Sequence, residues 1–253
     1  MMTSQKAGVM TDRTTARLVG VLFIIATMAG MLSLAFQLPI IDAHDHLIRT
    51  SVDEGRVATG ALFELIMAVS VVGIAIAIHP VLARFSERLA LGYVVSRTVE
   101  GMVFLTDTVA LLTLLTLSRD LAEAGPAGVS LLQTMGGAIQ AARDWGGHGV
   151  LDAAVFSLSA LILNYVLYRA RLVPRMLSVW GLVGAASYMA AGVMVLYGLE
   201  PLSTVQVVLD VPLGIQELAL AGWLIVKGFD APPAEQPPTG LGPTVQKSRT
   251  LHG

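Results

Sequence analysis

Arg97, Glu100 and Asp107 stand in a stretch otherwise built largely of Val, Leu, Thr and Gly. Positions 97, 100, 104 and 107 follow the i, i+3, i+7, i+10 spacing of one helix face. Arg97 and Glu100 can pair along that face, and Asp107 lies two turns beyond Glu100. A second apolar stretch repeats the theme, with Gln206, Asp210 and Glu217 on one face and Gln216 beside it. Pro212 removes a backbone donor between its two carboxylates. Glu64 and Asp152 lie near the ends of two further apolar stretches, and His148 precedes Asp152 by four residues. Carboxylates held in apolar surroundings can carry protons or cations, with a guanidinium as internal counter-charge. The same groups can also do no more than fix how helices pack. A third chemistry, metal-assisted hydrolysis, would draw on His44, His46 and His148 with Asp45, Glu64 and Asp152, because His and carboxylate sets hold zinc with one position open. No His-Glu-x-x-His string and no Gly-x-Ser-x-Gly elbow is present.

The elements that must position these groups are membrane helices. Of the 253 residues, 55% are apolar and only 13% charged, against about 25% charged in soluble domains. Mean hydropathy is +0.72. A single soluble core cannot hide that much apolar surface. The net charge of −2 excludes a polybasic nucleic-acid binder. The lack of cysteine excludes disulfides, thiolate metal sites, iron–sulfur clusters and cysteine nucleophiles.

Six stretches reach the ~20 residues needed to cross a bilayer core: residues 18–38, 60–79, 89–117, 147–168, 176–198 and 204–226. The expected fold is therefore all-α, an integral membrane bundle of six transmembrane helices. The first span follows Lys6, Arg13 and Arg17, as a signal peptide would, but its apolar run exceeds the 7–15 residues of an h-region. An uncleaved first helix is expected. With the N-terminus inside, the inner connections hold eleven Lys and Arg and the outer ones four: Arg49, Arg56, Arg119 and Arg143. This bias predicts that both termini are cytoplasmic.

The domain reading is a cytoplasmic N-terminal segment over 1–15, a six-helix transmembrane domain over 16–228 and a disordered, Pro-rich cytoplasmic tail over 229–253. Between the third and fourth spans, Leu131, Leu132, Met135, Ile139 and Ala142 are spaced as a short interfacial helix. His79, before Pro80, is expected to end the second helix at the interface. Trp180, Trp223 and Tyr168 read as interfacial anchors. Ala26-x-x-x-Gly30 and Gly181-x-x-x-Ala185 permit close helix approach.

Several strings are distinctive. They are Ala16-Arg17-Leu18-Val19-Gly20-Val21-Leu22-Phe23, Leu163-Asn164-Tyr165-Val166-Leu167-Tyr168-Arg169-Ala170-Arg171-Leu172-Val173-Pro174-Arg175, Trp180-Gly181-Leu182-Val183-Gly184 and Leu213-Gly214-Ile215-Gln216-Glu217-Leu218. On these strings, with Trp223-Leu224-Ile225-Val226-Lys227-Gly228-Phe229, the chain resembles the bacterial membrane-protein family catalogued as domain of unknown function 4386, over roughly residues 14–229. The resemblance implies a multi-pass membrane protein and carries no catalytic residues with it.

The energetics of the third span set the functional question. Three ionisable residues near its centre cost on the order of 8 kcal/mol on insertion scales, and its ten Val, Leu and Phe between Gly92 and Leu114 return only about 5. Such a span needs protein partners or a water-filled cavity. Placed by topology, Glu64, Asp107, Asp152 and Asp210 fall in the outer half, with Glu100 and Glu217 nearer the midplane and Arg97 as the single buried cation. Polar groups of this kind are functional candidates in membranes. The expected function is small-solute, proton or cation translocation through an acidic intramembrane cavity. The alternatives are an accessory or sensory membrane protein without chemistry of its own, whose basic 169–175 loop touches anionic lipid, and an intramembrane metal-dependent hydrolase. The leaning is against an enzyme. No cofactor and no nucleic-acid partner are implied. The bilayer of the cell's inner (plasma) membrane is the expected surrounding, an unidentified small molecule or ion the substrate, and a homo-oligomer the expected state of so small a transporter.

Overall fold

The computed structural model describes residues 2–41, 50 and 53–230. Among these, seven α-helices follow in order: α1 (Met2–Ile41), α2 (Glu54–Ala83), α3 (Glu87–Glu123), α4 (Pro126–Trp145), α5 (Val150–Ala170), α6 (Arg175–Leu196) and α7 (Thr204–Val226). The described residues contain no strand. Six helical stretches are long and apolar enough to cross a membrane, the fourth of which takes in both α4 and α5. The side chains of His44 and His46 and the tail beyond residue 230 lie outside the described residues.

The helix boundaries follow local chemistry. Ser86 caps α3 by accepting a hydrogen bond from the Leu89 amide. Gly125 then Pro126 start α4, with proline at the first position where no amide is needed. Arg171 ends α5 in the left-handed conformation (φ 54°) and Pro174 starts α6. One expectation is corrected here. Pro80 does not end the second helix after His79, because α2 runs through it to Ala83; one lost amide near a helix end is a small cost beside continued packing of the buried Val81 and Leu82. The 131–142 stripe forms a helix as expected, and α4 turns back along α3. Leu132 and Ile139 pack on Leu114 and Leu117 of α3, leaving Leu131 and Met135 exposed.

The chain threads between two faces. One is basic and gathers the connections at 84–86 and 171–174 with the end of α7. There Arg84 makes a two-pronged ion pair with Asp12, both bonds 2.7 Å, and the Asp230 amide donates to the Leu172 carbonyl at 2.8 Å. The far face holds the other end of the α2–α3 hairpin, tied by Arg119 to Glu54 with both bonds 2.8 Å. At 37 residues, α3 is about 55 Å long, well beyond a bilayer core of about 30 Å. It overshoots α5, α6 and α7, which have 21 to 23 residues.

The apolar core joins α1, α2, α3, α5 and α7 through Val19, Phe23, Ile74, Ile78, Tyr93 and Leu220, among others. Small residues bring helices together where the sequence suggested. A Cβ on Gly30 would meet Met67 Sδ at 2.7 Å, and one on Gly181 would overlap the Asn164 amide. That amide accepts from Gln216 Nε2 at 3.1 Å and donates to the Ala160 carbonyl at 2.9 Å. Gln216 also donates to the Leu177 carbonyl at 3.2 Å, so one amide pair ties α5, α6 and α7. Many large apolar side chains point outward, Val69, Ile76 and Val183 being each about two-thirds exposed. That is the pattern of a lipid-facing surface.

Candidate functional site

Three polar groups occupy the bundle interior. The first surrounds Arg97, which is 2% exposed. Its guanidinium donates to Glu100 Oε1 at 2.8 Å, to Glu217 Oε1 at 3.0 Å and to the Tyr93 hydroxyl at 3.1 Å. Phe23, Tyr93 and Phe156 lie 5.6, 5.6 and 5.2 Å from its charge centre, within reach of cation–π attraction. Ser159 donates to Glu100 Oε2 at 3.4 Å. Side chains of α1, α3, α5 and α7 thus close around one cation. The i, i+3 spacing predicted the Arg97–Glu100 pair; the Glu217 pair crosses 120 residues of chain.

The second group sits toward the far face. Arg143, 1% exposed, donates to Asp107 Oδ2 at 2.8 Å and to Gln37 Oε1 at 2.6 Å. Gln37 in turn donates to Ser33, and Ser33 to the Gly60 carbonyl, at 2.7 and 2.8 Å. Glu64 Oε1 lies 4.0 Å from Arg143, while Glu64 Oε2 is buried without a hydrogen-bond partner. Arg97 is therefore not the single buried cation. The sequence places Arg143 in an outer connection, and α4 folds it back against Asp107. The pairing has a plain physical cause, since a buried Asp107 alone would be costly.

The third group is less satisfied. Tyr188 on α6 donates to Asp152 Oδ2 at 2.7 Å and packs edge-on against Phe156, 4.9 Å between ring centres. Asp152 Oδ1 and Asp210 Oδ1 are buried and without partners. Gln206 donates to the His148 carbonyl at 2.9 Å and accepts from the Leu202 amide at 2.7 Å. These groups, with Arg97, Glu100, Glu217 and Glu64, line a cavity of about 560 Å³, within the size range of small-molecule pockets.

The structure brings together most of the singled-out residues. Arg97, Glu100, Phe104 and Asp107 share one buried face of α3, as their spacing predicts. Gln206, Asp210 and Glu217 all line the cavity from α7, whereas Gln216 turns to Asn164. Glu64 and Asp152 are 4% exposed each, and both line the cavity. His148 lines it too, with Nδ1 4.0 Å from Asp144 Oδ1. Among the described residues, no three His, Asp or Glu side chains converge to hold a metal ion. Sequence reasoning missed Arg143, Gln37 and Tyr188. For Arg143 the signal was present, four residues after Ile139 on an amphipathic helix. Tyr188 stands mid-span rather than at an interface, which marks a tyrosine whose hydroxyl needs an internal partner.

Six apolar helices with ionisable side chains turned inward around a cavity define a multi-pass membrane protein with a polar interior. The sequence profile of the family described as Domain of unknown function (DUF4386) matches residues 18–228, and the chain belongs to that family. No curated protein and no solved structure gives a match to it.

Proposed function

We propose that the cavity is a binding chamber through which a small cationic solute or protons cross the membrane, with Asp152 and Asp210 as the groups that meet the cargo. One observation carries this reading: each of these carboxylates keeps a buried oxygen without a partner on the wall of a ligand-sized cavity. Glu100, Glu217 and Asp107 are bound closely by Arg97 and Arg143; Asp152 and Asp210 have capacity left, as has Glu64, whose nearer oxygen lies 4.0 Å from Arg143. The charge balance agrees. Six interior carboxylates (Glu64, Glu100, Asp107, Asp152, Asp210 and Glu217) face two guanidiniums, so protons or cations are needed to approach neutrality in a low dielectric. The Lys and Arg bias supports an arrangement with the basic face and both termini in the cytoplasm, the chamber then lying toward the outside of the inner membrane.

The test is flux in proteoliposomes holding the full chain, with a proton-sensitive dye and with labelled guanidinium as a small cation. The expected result is flux that Asp152→Asn with Asp210→Asn removes. Flux equal to that of protein-free liposomes, or unchanged in the double variant, overturns the reading. A second reading, an accessory protein whose polar groups only secure packing, is favoured by the closed network around Arg97 and the close Arg143–Asp107 pair. It predicts no flux, and lost stability as the sole consequence of altering the interior.

A further inference from the structure

The chamber has a wall that the ion-pair networks do not complete. At the basic face α1 and α7 touch closely, since a Cβ on Gly20 would fall 2.7 Å from the Ala221 carbonyl oxygen and 2.8 Å from Ile225. Toward the far face each helix is held by a different neighbour. Ser33 and Gln37 tie α1 to α2 through the Gly60 carbonyl. Ser187 donates to the Leu209 carbonyl at 2.8 Å, tying α7 to α6 in the turn before Pro212, and Gln206 ties it to His148. Met31 of α1 and Val207, Val211 and Ile215 of α7 all line the cavity, yet they are 58%, 41%, 46% and 51% exposed. A side chain can border a cavity and the outer surface together only where the wall between them is open or thin. These positions lie within apolar membrane-crossing stretches, so the outer surface at this point is hydrocarbon.

Two features restrict what enters by such a route. Five carboxylates (Glu64, Glu100, Asp152, Asp210 and Glu217) and one guanidinium line the chamber, and that guanidinium is already bound by Glu100 and Glu217. An anion is therefore repelled. The rest of the wall is chiefly apolar, including Phe23, Met67, Val71, Ile74 and Phe104, which cannot replace the water shell of a small inorganic cation. Asp152, itself 4% exposed, takes the Tyr188 hydroxyl on one oxygen and keeps the other without a partner. A carboxylate with an unpartnered oxygen in a chiefly apolar wall suits an organic onium group, whose charge needs a counter-ion and whose weakly hydrated surface tolerates apolar neighbours.

We infer that the chamber opens sideways between α1 and α7 into one leaflet and takes an amphiphilic organic cation, its ammonium or onium charge at Asp152 and Asp210 and its apolar part in the α1–α7 gap. The inference rests on the chamber reading above and names its cargo class. Pro212 and Gly214 give α7 a weak turn beside the gap, and a Cβ at Gly214, which lines the cavity, would meet nothing within 4 Å. Position 214 can therefore take a bulky side chain into open space without displacing a neighbour at Cβ.

The experiment is equilibrium binding of tetraphenylphosphonium to the full chain in phosphatidylcholine nanodiscs. Saturable binding is expected, displaced by dodecyltrimethylammonium and untouched by tetramethylammonium, which has the charge without the apolar body. Asp152→Asn with Asp210→Asn should weaken it at least about tenfold, and Gly214→Phe should do the same while leaving the melting temperature unchanged. The inference is overturned by absence of saturable binding, by equal displacement with tetramethylammonium, or by binding that Gly214→Phe leaves intact. Binding is read here without transport, so the two proposals fail separately. Saturable, Asp-dependent binding without any flux would end translocation and keep this inference. Guanidinium flux without tetraphenylphosphonium binding would do the reverse.

Discussion

Arg97 and Asp152 are both almost wholly buried, both line the same cavity, and they have opposite degrees of satisfaction. Arg97 has two carboxylates, a tyrosine hydroxyl and three aromatic faces around it. Asp152 has one hydrogen bond, from Tyr188, and an oxygen with none. Burying a charge costs several kcal/mol unless partners replace its water. The Arg97 site meets that cost inside the protein and so gains rigidity. The Asp152–Asp210 region leaves capacity to be met by something else. The lesson is that buried charge in this bundle comes in two states of satisfaction, and partner count separates them better than depth or residue type does.

The sharpest way to break the comparison is to remove the cation from the closed site. Arg97→Met should leave Glu100 and Glu217 facing each other without compensation and cost about 3–5 kcal/mol, seen as a large fall in detergent melting temperature or in folded yield. Retention of full stability would mean that the Arg97 network is not structural. Arg143→Met should act in the same direction through Asp107, at about 3 kcal/mol. Because Arg143 does not line the cavity, any protein that folds should still bind tetraphenylphosphonium. Gly181→Val tests packing without charge: its side chain would overlap Asn164 and cost about 1–3 kcal/mol by the same melts.

In the open region the expectation inverts. Asp210→Asn keeps the shape and removes a carboxylate that lacks a full partner set, so stability should change by less than about 1 kcal/mol while flux or cation binding falls. A stability loss as large as that of Arg97→Met would make Asp210 a packing residue. The smallest effect is expected from Gly214→Ala, which restricts the unfolded chain and fills open space. It should raise stability by about 0.4–1 kcal/mol and narrow the chamber only slightly.

Much of this was readable beforehand in particular residues. The 97, 100, 104, 107 spacing placed four side chains on one buried face, because a helix repeats every 3.6 residues whatever surrounds it. Gln206, Asp210 and Glu217 were legible in the same way. The partner of Arg143 was not. Its pairing with Asp107 depends on α4 reversing along α3, a contact across 36 residues that no local period encodes. Gln216 illustrates the converse. It neighbours Glu217 in sequence, yet it faces Asn164 because adjacent helix positions differ by about 100° and Gly181 lets α5 and α6 approach closely.

Composition and periodicity alone determined that the described part of this chain is all-helical, that six stretches can span a bilayer, and that ionisable groups lie on inward faces. Those properties are local: they depend on how many apolar residues follow one another and which side of a helix each occupies. Tertiary structure alone decided which carboxylates are matched by guanidiniums and which are left over, and where α1 and α7 part to leave a chamber wall thin. Those are properties of distance between segments far apart in sequence, and electrostatic energy in a low dielectric is set by that distance.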